Sequence, residues 1–190
     1  MVNGKPATPR VVRRPRRKSP KPGVNLNGQK RDNQRSKLYA AQRIMGGNGG
    51  ADRHPGTPLP KNATVADCQS YVDGILGSAW WRDYVGARLR RVTVKDGRGR
   101  NSAASYYYER AISIPRYQRT RPVVIHELAH QAVGRIHGGP NEVAPHGPEY
   151  AGVLVSMVSR FLGTAAAAEL RDSYRKHGVK IRLPQKRGSR

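Results

Sequence analysis

Acidic residues, cysteine and phenylalanine are scarce in this sequence. There is one cysteine, Cys68, so no intramolecular disulfide and no cysteine-based zinc ribbon can form. No apolar run approaches the ~18 residues of a membrane span, and the basic N-terminus is not followed by the apolar stretch of a secretory signal. A cytoplasmic location is the default expectation. Hydrophobic residues make up 36 % of the 190, below the usual ~45–50 %. Only 12 Asp and Glu face 36 Lys and Arg, a net charge of +24. A polycation of this size attracts polyanions, nucleic acid foremost. Base readout is not expected, and with a single aromatic in the first sixty residues, Tyr39, no stacking platform is evident there.

The shortfall of apolar residues is concentrated at the start. Residues 1–60 carry 14 Lys and Arg against Asp32 and Asp52, with abundant Pro, Gly, Asn and Gln. Such a stretch buries too little surface to offset the entropy of ordering it. Residues 1–60 are therefore expected to be a disordered basic tail, with a basic Pro-rich run at 10–22 and a Gly/Pro-rich linker at 46–60. The tail either contacts nucleic acid without sequence preference or only aids solubility. Residues 61–185 hold the folded domain, and 186–190 form a short basic C-terminal tail.

Within the domain, apolar residues from Thr64 to about Tyr84 recur at helical spacing, with Trp80 and Trp81 packing near its end. Alternation over 88–95, a turn at Asp96-Gly97-Arg98-Gly99, then runs at 103–108 and 111–114 predict a short antiparallel sheet. Thr120 as N-cap, Pro122 in the first turn and Gly138-Gly139-Pro140 as a stop frame a helix over about 121–136. Gly147-Pro148-Glu149 opens another helix, residues 164–176 form a last one ended by Gly178, and 179–183 read as a final strand. The expected class is α+β.

The chemistry lies in His126-Glu127-Leu128-Ala129-His130, an H-E-x-x-H inside the 121–136 helix. Positions i and i+4 share a helix face, so two imidazoles can reach one zinc ion while Glu127, beside it, can take a proton from a metal-activated water. Six His and five Glu in 190 residues give this pattern by chance roughly 0.5 % of the time. A third ligand is needed. His137 lies seven residues past His130, about 10 Å along a continuing helix, too far to share the ion. His146 follows a loop able to reverse the chain and is the expected ligand. Glu149 is its main rival, and Glu142 is a lesser candidate. Three His ligands leave one position for water.

His126-Glu127-x-x-His130 followed by His146-Gly147-Pro148-Glu149-Tyr150 resembles the SprT-like (Spartan-type) zinc metalloproteases, which carry H-E-x-x-H and a downstream H-G-P-E-F. With Tyr71-Val72-Asp73 and Trp80-Trp81, the layout over residues 64–184 is more similar still to a small actinobacterial and actinobacteriophage family of H-E-x-x-H metallohydrolases. The resemblance implies a zincin-like domain and a zinc-dependent peptidase with a protein or peptide substrate, in host cytoplasm if phage-encoded. Another zinc amide hydrolase, or a nucleic-acid-associated protein with a vestigial site, is the alternative. The zinc ribbon of some SprT-like proteins is missing, and a DNA-repair role does not carry over with the motif.

Supporting roles are open at this level. Glu149 either starts its helix or holds a ligand histidine from behind. Tyr150 is expected to pack. Strand 111–114 is either a sheet edge that receives an extended substrate or an ordinary interior strand. Tyr106, Tyr107 and Tyr108 either line the cleft or serve as strand residues, and Tyr174 is unassigned. The sequence does not fix an oligomeric state.

Overall fold

A computed structural model describes residues 30–46, 59–86, 91–98, 104–108 and 110–183. Six helices and a three-stranded sheet make an α+β fold: α1 Arg35–Gln42, α2 Val65–Gly77, α3 Ala79–Val85, β1 Thr93–Asp96, β2 Ser105–Tyr107, β3 Ala111–Ile114, α4 Arg121–His137, α5 Pro148–Phe161 and α6 Thr164–Lys176. The expected C-terminal tail, the Pro-rich run, most of the linker and the start of the 88–95 strand lie outside the described residues.

The expectation of a disordered tail over 1–60 is corrected for residues 30–46. Leu38, Ala41 and Met45, spaced three and four apart, form an apolar stripe that is almost wholly buried in the common core, and α1 packs on α6. Three apolar side chains among so many polar ones are too few to stand out by composition, yet they seat α1 on α6.

Local chemistry sets most helix ends. Thr64 and Asp67 form a reciprocal capping box at α2, with Asp67 N–H donating to Thr64 Oγ1 at 3.1 Å and Thr64 N–H donating to Asp67 Oδ2 at 2.7 Å. The expected single helix over 64–84 is two helices. Ser78 is extended (φ −68°, ψ 148°), and its hydroxyl caps α3 by accepting from Trp81 N–H. Trp81 is fully buried, while Trp80 stacks on Tyr84 and meets the edge of Phe161. Thr120 stands at the N-cap of α4, but its side chain makes no capping bond. Gly138 ends α4 at φ +87°, a conformation that costs a side chain dearly.

The sheet is mixed, which corrects the antiparallel expectation. Its order is β1-β3-β2, with β1 parallel and β2 antiparallel to β3. Strand 111–114 is therefore the central strand, paired on both sides, and not an edge. Ile112 and Ile114 are fully buried in it. Gln69 ties α2 to β1, donating to Val92 O at 2.9 Å and accepting from Val94 N–H at 2.7 Å. Gln131 ties α4 to the β2–β3 turn through Tyr107 O at 3.0 Å.

Residues 179–183 are not a strand. They run across the start of α5, where Arg182 N–H donates to Pro148 O at 2.8 Å and the Arg182 carbonyl occupies the place a Cβ would take on Gly152. Among the described residues, no helix is long and apolar enough to cross a membrane.

Candidate metal centre

Helix α4 delivers two of the three imidazoles. His126 and His130 are one turn apart on its inner face, with ring centroids 5.2 Å apart. The loop after Gly138 turns the chain back, and His146, just ahead of α5, closes the triangle at 5.5 Å from His126 and 4.8 Å from His130. One ligand nitrogen from each lies within 4.8 Å of the others, close enough to hold one metal ion. All three histidines are buried, at 6–7 % exposure.

Two of the rings are held from behind. His146 Nδ1 donates to Asp32 Oδ2 at 2.6 Å, and His126 Nδ1 donates to Gln42 Oε1 at 2.9 Å. Both acceptors are fixed as acceptors by their chemistry, so Nδ1 carries a hydrogen in each ring, which leaves Nε2 as the nitrogen for a ligand bond. Gln42 is itself oriented by donating from Nε2 to Tyr174 Oη at 3.1 Å. Tyr150 donates from its hydroxyl to His126 O at 3.1 Å, and its ring packs against all three histidines. Tyr106 of β2 stacks flat on His130, centroids 4.3 Å apart.

The electrostatics suit a cation. Burial, and then its histidine neighbours, hold His130 well below the ordinary histidine range; burial, His146 and Arg35 lower His126 to about 3. Neutral imidazoles are the form that binds metal. Burial pushes Glu127 up to about 8. A carboxyl so desolvated is relieved by a nearby positive ion, so the donor set and the acid beside it both fit a divalent metal.

Of the sequence-predicted residues, His126, His130 and His146 come together, and Glu127 is buried next to His126 in the chain. Neither His137, at the last turn of α4, nor exposed Glu142 joins the cluster. Glu149 does not back a histidine: its Oε1 accepts from Arg182 Nη1 at 2.8 Å, and it sits in the first turn of α5. The carboxylate behind a ligand histidine is Asp32. Tyr150 packs, as expected; Tyr106 lines the site, whereas Tyr107 is exposed.

Asp32, Tyr39 and Gln42 were missed because all three lie in the stretch read as tail. The stripe Leu38, Ala41, Met45 is the signal that could have found them. Compared with protein-family models, curated proteins and solved structures, the chain matches none.

Proposed function

We propose that the chain is a zinc-dependent hydrolase of amide bonds, in the first place a metallopeptidase. The observation that carries this reading is the buried His126–His130–His146 triangle with the buried carboxyl of Glu127 next to it in the chain. A zinc ion held there supplies Lewis acidity toward a carbonyl and makes water acidic enough to react near neutral pH. Glu127 accepts the proton of the attacking water and returns it to the leaving nitrogen. Asp32 and Gln42 keep His146 and His126 in the tautomer and orientation that present Nε2. Tyr106, flat on His130, excludes water from that side.

A cavity of about 250 Å³ opens beside Glu127 and His126, between α1 and the start of α4. Its lining includes Arg35, Gln42, Gln118 and Val123, a mixture able to take a polar chain segment. A purely structural site needs no base, so the intact Glu127 favours a reaction over a vestigial role. The reading agrees with the resemblance of these residues to the SprT-like metalloproteases.

The test is turnover by the zinc-loaded chain on a quenched peptide library and, in parallel, on small non-peptide amides. Peptide cleavage that Glu127→Gln abolishes supports the peptidase. Cleavage of small amides alone would move the reading to another amide hydrolase, and no Glu127-dependent turnover on either would overturn it.

A further inference from the structure

The phenol of Tyr39 stands at the mouth of the histidine triangle. Its oxygen is 3.3 Å from His146 Nε2, the ring nitrogen on the other side from the one held by Asp32. Its ring stacks on His126, centroids 5.5 Å apart and 26° from parallel, and lies 5.1 Å from the ring of His146. The oxygen thus faces the His146 nitrogen that a metal held by the three histidines would take.

The distance itself is informative. In a tetrahedron the edge is about 1.6 times the centre-to-vertex length, so zinc bonds of ~2.0–2.1 Å set neighbouring ligand atoms about 3.3–3.4 Å apart. The separation of Tyr39 Oη from His146 Nε2, a hydrogen bond in the metal-free chain, is also compatible with that edge.

We infer that Tyr39 is a fourth, displaceable ligand of the metal held by His126, His130 and His146. This inference rests on the metal reading proposed above and deepens it. The three histidines come from α4 and the loop into α5, whereas Tyr39 comes from α1, an element before the H-E-x-x-H domain. On coordination the hydroxyl proton leaves to solvent, which reaches the ring at 42 % exposure. The Arg35 guanidinium lies over the ring, 5.5 Å from its centroid. α1 then covers the metal at rest, and a substrate carbonyl or water gains the fourth position only as the phenol oxygen gives it up. Tyr39 also borders the cavity beside Glu127, so the displaced ring moves along the path that a substrate uses.

The experiment loads the full chain with Cu(II), which makes a bound phenolate visible. The wild type is expected to show a phenolate-to-copper charge-transfer band and, under resonance Raman excitation in that band, tyrosinate ring modes. Tyr39→Phe, which keeps the ring, is expected to load copper to the same content without the band and to bind zinc several-fold more weakly. A small hydroxamate is expected to bleach the wild-type band. Equal copper content with the same visible spectrum in wild type and Tyr39→Phe would overturn the inference while leaving the histidine site intact. Absence of tyrosinate modes in the loaded wild type would overturn it without recourse to any variant. A chain that loads no metal would overturn both this inference and the metal reading.

Discussion

Glu127→Gln is expected to stabilise the metal-free protein, and the gain is expected to grow with pH. The side chain is 5 % exposed, and burial lifts its pKa from 4.5 to about 8. In the unfolded chain the carboxyl ionises near its ordinary value. A folded-state pKa raised above the unfolded one gives a contribution that is fully present below the unfolded pKa and is lost as pH rises toward the folded pKa. At ~1.4 kcal/mol per pH unit, keeping Glu127 protonated in the fold costs about 1 kcal/mol at pH 5, about 3 at pH 7 and about 4 at pH 8. Glutamine has nearly the same shape and no charge to lose, so the variant escapes this penalty. The buried histidines also make stability depend on pH, but they do so equally in both proteins and cancel in the difference. The assay is urea unfolding of chelator-treated wild type and Glu127→Gln from pH 5 to pH 8. Saturating zinc is expected to shrink the gap, because a divalent cation beside the carboxyl favours its ionised form. A difference that stays flat across this range would refute the desolvation argument and with it the reading of Glu127 as a group poised by burial.

Four other variants probe other parts of the molecule. Asp32→Asn replaces the carboxylate behind His146 and is expected to weaken zinc binding by about 10–100-fold, read by competition with a chromophoric chelator; unchanged affinity would make that contact incidental. Gly152→Ala places a methyl against the Arg182 carbonyl and is expected to cost roughly 1–3 kcal/mol in denaturant unfolding, so a neutral result would show that residues 179–183 yield easily. Deleting residues 1–29 removes eight Lys and Arg and no acidic residue, and is expected to lower DNA affinity and its salt dependence while sparing zinc affinity. Deleting residues 1–46 is expected to weaken zinc binding as well, since Asp32, Tyr39 and Gln42 go with it; full DNA affinity in the shorter deletion would locate the contact elsewhere.

What could be read in the sequence was mostly local. The helical frame of His126, Glu127 and His130, the stop at Gly138 and the start at Gly147-Pro148 are short-range patterns, and each stands where its caps and breakers put it. His146 was reachable because loop length and spacing removed His137. The misses were long-range. Strand order β1-β3-β2 is non-sequential, so nothing near residues 111–114 reveals that both flanks are paired. Asp32 and Gln42 meet their histidines across 114 and 84 residues of chain. α1 is held by three apolar side chains amid a basic, polar stretch, and its order comes from the surface it covers rather than from its own composition. Of the two roles open to Glu149, the helix start is the one it takes, and its carboxylate pairs with Arg182, from a segment expected to form a strand.

We propose that His126, His130 and His146 together hold one zinc ion served by Glu127. Zinc content of the purified wild type, His146→Ala and Glu127→Gln, measured after dialysis against a weak chelator, tests it most directly. About one zinc per chain is expected in the wild type and in Glu127→Gln, and a marked loss in His146→Ala. Full retention in His146→Ala, or no zinc in the wild type, would contradict it.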